Sequence, residues 1–472
     1  MAWSQRSDAP AISGCVIAKR PAVALQAGVG ASTSAAVEQW GPDRRRVVVA
    51  RSDPTHRRGA LGAADSATLA AAATMAVDLH IPFIGVLTSS GADFQDGVAA
   101  LHGWGTAARA ISSCSGLVPV LLAVVGPAVS GPALLLGMAD AVVMTEEAVA
   151  YVSGPGAVAE MTGLRVAPRQ LGGGMVHGRA TGVAALIASD IAETELLLTE
   201  LLSYLPDHTD AEPPRIAPGA EPFDPPERST PELRDLLPLS TSGSYDVRGV
   251  IGAIADNRDY LELRAGWAPQ LVTVLARVAG HPLGVVANQP GAMAGTLDIA
   301  ASQKGARFVS FCDAFNLPIL TLVDTPGFMP GRDLEWRGMI RHGAQLVFAY
   351  AEATVPRVCL ILRKAYGGAY IVMDSKSMGN DLCLAWPSAE VAVMGAQGAV
   401  RILHRGVDST DMDRMVEEYG TSYLNPYTAA ERGYVDAVID PAETRSTIAS
   451  CLALLRSKQE RFQGRKHGSG PL

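Results

Sequence analysis

The sequence is poor in several things at once. Charged residues make up only 18% of its 472 positions and aromatics 6%, and the six cysteines include no Cys-x-x-Cys pair. Scattered thiols exclude the zinc and dithiol motifs that need close spacing, and apolar neighbours mark Cys312 and Cys359 as reduced core residues. No basic stripe exists, and 39 Lys and Arg against 47 Asp and Glu leave a net charge of −8. That argues against a nucleic-acid partner, whose phosphates need cations. The opening MAWSQRSDAPAIS lacks an apolar segment of secretory type. The longest apolar run, 118–144, is broken by Gly126-Pro127 and Gly131-Pro132 and carries Asp140, so a buried strand, turn and helix suit it better than a membrane span. A soluble, cytoplasmic protein without a membrane part or a metal site is expected.

What the chain does have is apolar residues, 48% of the total, and 48 glycines. Its length suits several domains with large cores. The most informative stretch is 355–373, VPRVCLILRKAYGGAYIVM. An apolar run ends in Arg363-Lys364 and leads into Ala365-Tyr366-Gly367-Gly368-Ala369-Tyr370. This predicts a buried strand, a tight glycine turn and the start of a helix. Glycine lets a backbone approach a ligand closely, and the first N–H groups of a helix have no intrahelical acceptor. Such a turn is shaped to hold an oxyanion by main-chain amides. In isolation, a purely structural turn would read the same way.

Strands are expected at 47–50, 82–87, 118–125, 141–144, 283–288, 319–323, 358–362 and 389–394, and helices at 62–79, 126–136, 298–315 and 339–353. A helix leading into a strand is expected at 247–263, and mostly helix near the end, with a basic tail at 461–467. Residues 53–59, 88–97 and 324–331 read as loops. Residues 206–240 are rich in proline and acidic residues and read as a surface linker. The division is therefore 1–215, a proline-rich linker over 216–240, and 241–472. The two halves align: Pro119 to Gly131 spans 131 − 119 = 12 residues, and Pro356 to Gly368 spans 368 − 356 = 12. Ile81-Pro82 matches Leu317-Pro318, and 139–144 resembles 389–394. A duplicated α/β unit built from parallel βαβ elements is expected. Two such turns suggest a reaction with two carbonyl centres.

Asn288-Gln289-Pro290, Leu297-Asp298-Ile299, Lys304-Gly305-Ala306-Arg307-Phe308, Cys312-Asp313-Ala314-Phe315-Asn316, Ile340-Arg341-His342-Gly343-Ala344, the turn at 363–370, Ala385-Trp386-Pro387 and 394–399 together resemble one family. It is that of the carboxyltransferase (β) subunits of biotin-dependent acyl-CoA carboxylases, propionyl-CoA carboxylase among them. The resemblance runs from about residue 245 to the end and is traceable, more weakly, in the first half. It implies two crotonase-like ββα-spiral domains, the first binding acyl-CoA and the second binding biotin. The biotin would ride on a separate carrier protein and be carboxylated by a biotin carboxylase partner. The resemblance also implies a hexamer, a trimer of dimers, with the site where one subunit's first domain faces another's second. It places oxyanion donors at Gly368 and Ala369 and a second pair at Ser130 and Gly131. Substrate contacts fall to Tyr366, Ile371, Gly91 and Ala92, and biotin contacts to Gly327, Phe328, Gly367, Gly395 and Ala396. Arg57 and Arg58 could meet the phosphates of CoA, although a solvated basic loop reads equally well. No side-chain base is required, and His342 and Asp324 read as orienting or loop-shaping residues.

The departures cluster in the first half. Ser130 stands where the family has glycine, Asp93 stands where it has arginine and so reverses the local charge, and 52–60 reads SDPTHRRGA instead of a Phe- and Gly-rich segment. These changes fit drift in an ordinary acyl-CoA site, an unusual acyl acceptor, or a damaged site in a non-catalytic structural subunit. The apolar Ile371 favours apolar acyl tails. Decarboxylation of a malonyl-type thioester is a further alternative to carboxyl transfer.

Overall fold

The computed structural model describes residues 24–25, 31–217, 223–238, 240, 243–404, 409–458, 460 and 468–471. The sequence readings of residues 1–13 and of the tail at 461–467 fall outside these.

Each half of the chain builds one sheet of eight strands. The first contains β1 (Ala24–Leu25), β2 (Ser34–Trp40), β3 (Arg45–Arg51), β4 (Phe83–Ser89), β5 (Val120–Val129), β6 (Ala141–Thr145), β7 (Val149–Tyr151) and β8 (Leu186–Ala188). Its order is β1-β2-β3-β4-β5-β6-β8, with β7 also on β5. The second contains β9 (Tyr260–Leu263), β10 (Leu271–Val278), β11 (His281–Asn288), β12 (Ile319–Thr325), β13 (Arg357–Tyr366), β14 (Leu382–Ala385), β15 (Glu390–Ala392) and β16 (Ala437–Val438), ordered β16-β14-β13-β12-β11-β10-β9 with β15 also on β13. Strands β3 to β8 and β11 to β16 are parallel, because helices cross over between them, and they read as continuous apolar runs because both faces are covered.

The duplication extends to single hydrogen bonds. Phe83 N donates to Pro119 O and Ile319 N to Pro356 O, both at 2.9 Å; Val48 N donates to Pro82 O and Gly284 N to Pro318 O, again both at 2.9 Å. Strand β5 pairs first with β6 and then, from Pro127, with β7. Strand β13 likewise pairs first with β14 and then, from Lys364, with β15. This corrects two expectations. Gly126-Pro127 is no turn, since β5 runs on to Val129; Gly126 is small because Thr88 packs against it, leaving an added Cβ 2.7 Å from Thr88 Cγ2. The counterpart of Asp140 is Asp381 rather than Glu390. Asp140 accepts from Val120 N at 2.9 Å and Asp381 from Arg357 N at 2.8 Å, each carboxylate pinning the start of the central strand.

The halves share a core. Trp40, Leu198, Leu201 and Tyr204 of the first pack in one cluster with Leu271, Phe311 and Phe315 of the second. Arg307 crosses the boundary, donating to Ala139 O at 2.9 Å and Asp140 Oδ1 at 3.2 Å. The segment read as a surface linker is also built in where it is described. Thr230 and Leu233 are buried, and Thr230 N donates to Ala442 O at 2.8 Å. Leu233, Leu236 and Leu237 pack in the apolar core of the second half, and polar contacts to distant residues, which composition does not show, hold the segment as well. Arg445, with no exposed side-chain surface, donates to Asp224 O at 3.0 Å and to Asp256 Oδ1 at 2.7 Å, and also to Ile254 O. Removing one partner of such a buried network strands the others. Arg445→Leu is therefore expected to lower unfolding stability by about 3–5 kcal/mol, read from the urea midpoint.

Candidate active site

Strand β13 ends at Tyr366, and a short helix, Gly367–Val372, begins at once. Gly367 takes φ +58°, and its Cβ position would lie 3.1 Å from Val393 O, so the bend requires glycine. Gly368 is exposed and Ala369 buried, both within the first turn, where N–H groups have no intrahelical acceptor. The Phe328 ring stands beside this turn, 3.9 Å from the Cβ position of Gly368. Tyr366 packs on Gly395, whose Cβ position lies 3.3 Å from Tyr366 Cε2, and its hydroxyl donates to Glu390. Gly395 caps the helix that Ala396 begins. Gly327 takes φ +148° and faces open space. Residues 327, 328, 366–368 and 395–396 thus form one cluster, with Ile371 at its edge, partly exposed.

Asp324 anchors the cluster from below. Tyr245 Oη donates to it at 2.9 Å, Arg363 Nε at 3.0 Å and the Lys364 amide at 3.2 Å. Burial pushes its carboxyl up, and the Arg363 guanidinium opposes that. His342 is held by Gln303 at 3.1 Å.

The first half repeats this plan. Ser130 takes φ +63°, ψ −125° and caps the helix Gly131–Leu136. Gly91, at φ +112°, lies near it, its Cβ position 3.5 Å from Val129 O. Gly91 N donates to Ser89 Oγ, as Gly327 N does to Thr325 Oγ1. Leu61 bridges to Ala92 as Leu297 bridges to Phe328. Arg57, Arg58 and Gly59 have φ of +47°, +57° and +70°, and Met293, Ala294 and Gly295 have +46°, +55° and +73°. The unrecognisable stretch at 52–60 therefore keeps the backbone of its counterpart, with different side chains.

Two expectations change. The Ser130 N–H donates to Tyr151 O at 2.9 Å, extending the β5–β7 pairing, so it is not turned outward as an oxyanion donor. The position equivalent to Ala369 is Pro132, which has no N–H. Of the residues expected to donate here, Gly131 keeps an amide for which no acceptor is seen among the described residues. The charge reversal at Asp93 is also cancelled locally: Arg57 forms an ion pair with it, and the Gln95 amide and Arg57 together hold its carboxyl below the usual range. Arg57 is thereby engaged, while Arg58 remains an exposed side chain on the same loop.

Trp104 went unnoticed in the sequence. Its indole lies on Gly131, with Cδ1 and Nε1 each 2.6 Å from the Cβ position, and Nε1–H is buried without an acceptor. The signal was present: Ala100, Ala107, Ile111 and Cys114 mark the buried face of helix Val98–Cys114, and Trp104 falls on it at helical spacing. No hydrogen bond or ion pair among the described residues joins the two turn clusters. Ser130 sits in backbone space that glycine prefers, at a cost of about 1–3 kcal/mol, offset by the greater freedom of glycine when unfolded. Ser130→Gly is expected to raise stability by about 1 kcal/mol in urea unfolding.

Comparison with known proteins agrees with this architecture. The carboxyl transferase domain family matches residues 24–469. The carboxyltransferase subunit of propionyl-CoA carboxylase from Haloferax mediterranei is 43% identical over 438 residues, 91% of this chain and 84% of that one. The methylmalonyl-CoA carboxyltransferase 12S subunit of Propionibacterium freudenreichii subsp. shermanii is 41% identical over 90% of this chain and 82% of that one. The alpha subunit of methylmalonyl-CoA decarboxylase from Veillonella parvula is 39% identical over 91% and 84%. A hexameric transcarboxylase 12S structure, with methylmalonyl-CoA bound, superposes with a TM-score of 0.90 at 40% identity, covering 93% of this chain and 85% of that one. The chain belongs to the carboxyltransferase family, as a carboxyltransferase (β) subunit of the biotin-dependent acyl-CoA carboxylase type.

Proposed function

We propose that the chain moves a carboxyl group from carboxybiotin, borne on a separate carrier protein, to the α-carbon of an acyl-CoA, giving a malonyl-type thioester. The observation that carries this reading is the repeated turn, one at the end of the central strand of each sheet, each opening a helix beside glycines at 91 and 131 or at 327, 368 and 395. The second cluster fits a flat bicyclic ring: Phe328 and Tyr366 wall it, and the glycines keep side chains out of it. When docked, carboxybiotin supplies the CO2 and a nitrogen able to accept the α-proton. The amides of Gly368 and Ala369 hold its ureido oxygen. At the first turn, the Gly131 N–H and the Trp104 indole N–H hold the thioester oxygen as charge develops on it. The indole takes the place of the amide that Pro132 lacks.

The two turns work across a subunit boundary. Phe94 is 97% and Ile340 85% exposed, beside the first and second turn respectively, and a second copy of the chain would cover both. A homo-hexamer and a biotin carboxylase and carrier partner complete the reading. Similarity to the decarboxylase subunit favours a second direction, loss of CO2 from a malonyl-type thioester, recognised by CO2 release without ATP or bicarbonate.

The chain should form malonyl-type products when mixed with a carboxylated biotin carrier and a panel of acyl-CoAs; no product from short, medium or branched acyl chains would overturn the proposal. Ala369→Pro, a change the backbone already tolerates at Pro132, should lower kcat by roughly 100–1000-fold. Trp104→Phe keeps the packing and deletes the donor; it should lower kcat by about 100-fold with little change in KM. An effect on KM alone would assign Trp104 to the pocket wall.

A further inference from the structure

Away from both turns, a cavity of about 150 Å³ opens where the β2–β3 hairpin, the end of helix Ile191–Tyr204, residues 214–216 and strand β10 meet. It lies on the seam between the halves. Three arginines line it, Arg45, Arg215 and Arg277, against one carboxylate, Asp43. Arg45 gives Nε to Asp207 at 2.5 Å and Nη1 to Leu202 O, yet its Nη2 is buried without an acceptor. Arg277 gives Nη2 to Ser203 O at 2.7 Å and lies over the Tyr204 ring, 4.1 Å from its centre, yet its Nε is buried without an acceptor. Buried N–H groups normally find partners, since leaving one unmade costs its full desolvation. Two arginines that each keep one donor without an acceptor, and a third guanidinium at the rim, surround this one small cavity.

We propose that this cavity is a binding site for a small multivalent oxyanion, of the size and charge of inorganic phosphate. Guanidinium N–H groups suit the oxygens of a tetrahedral oxyanion; Arg45 keeps Nη2 and Arg277 keeps Nε for it, their other named donors being spent on the chain. Arg45 belongs to the first sheet and Arg277 to the second, so the anion ties the two halves together across their seam. Its binding stabilises the folded chain by mass action, independently of the transfer reaction.

The test is thermal unfolding and calorimetric titration of the full chain with inorganic phosphate, against chloride at matched ionic strength. A saturable rise in Tm with phosphate is expected, absent with chloride. Arg277→Gln should weaken phosphate binding by about tenfold or more, the change expected from losing a charged donor. Arg215→Gln, at the exposed rim, alters no bond that holds the fold; it should weaken binding while leaving carboxyl transfer unchanged. Equal effects of phosphate and chloride, or a phosphate response unaltered in Arg215→Gln and Arg277→Gln, would show a general salt effect and overturn the assignment.

Discussion

The structure depends on a strand that changes partners part-way. β5 and β13 each pair with one parallel neighbour for the first half of their length and with a different one for the second. The split falls inside each sheet, and the strand then ends at a residue with positive φ, Ser130 or Gly367. From there each chain segment begins a helix, whose first amides lack intrahelical acceptors. The supporting loops follow from the same bend: Gly91 sits against it, and the left-handed triplets 57–59 and 293–295 pack on the carbonyls of Thr88 and Asp324.

The two copies solve the space beneath the turn differently. In the second half a buried carboxylate, Asp324, gathers Tyr245, Arg363 and the Lys364 amide. At the equivalent positions of the first half, Thr88 packs on Gly126 with no ionic group. Buried ion pairs fix geometry more surely than they add stability, because desolvation consumes much of the attraction. The carboxylate-anchored turn has glycine at the bend and two amides. The turn without it has serine at the bend, one amide and an indole.

The seam between the halves is mixed in the same way. A shared apolar cluster brings the sheets together, and arginines finish the fit. Arg307 reaches the first half's carbonyls, and Arg277 caps the end of helix Ile191–Tyr204. Where a guanidinium has more donors than the chain offers acceptors, the seam keeps a cationic hollow.

Much was legible in the residues alone. Apolar runs of strand length, glycines at fixed offsets and proline before β4, β5, β12 and β13 are local signals, and they sufficed for two duplicated α/β units, the turn at 366–369 and the family. What the residues could not show depends on pairs far apart in the chain. The β10 strand and the strand switch at Pro127 are decided by neighbours, and the ordered path of 223–238 by Arg445, more than 200 residues downstream at Asp224. The Arg57–Asp93 ion pair and the indole on Gly131 join segments that only folding brings together. Periodicity and turn chemistry act over a few residues, and so they are written in sequence. The direction of an amide or a guanidinium is set by whatever packs against it, and that belongs to the tertiary structure.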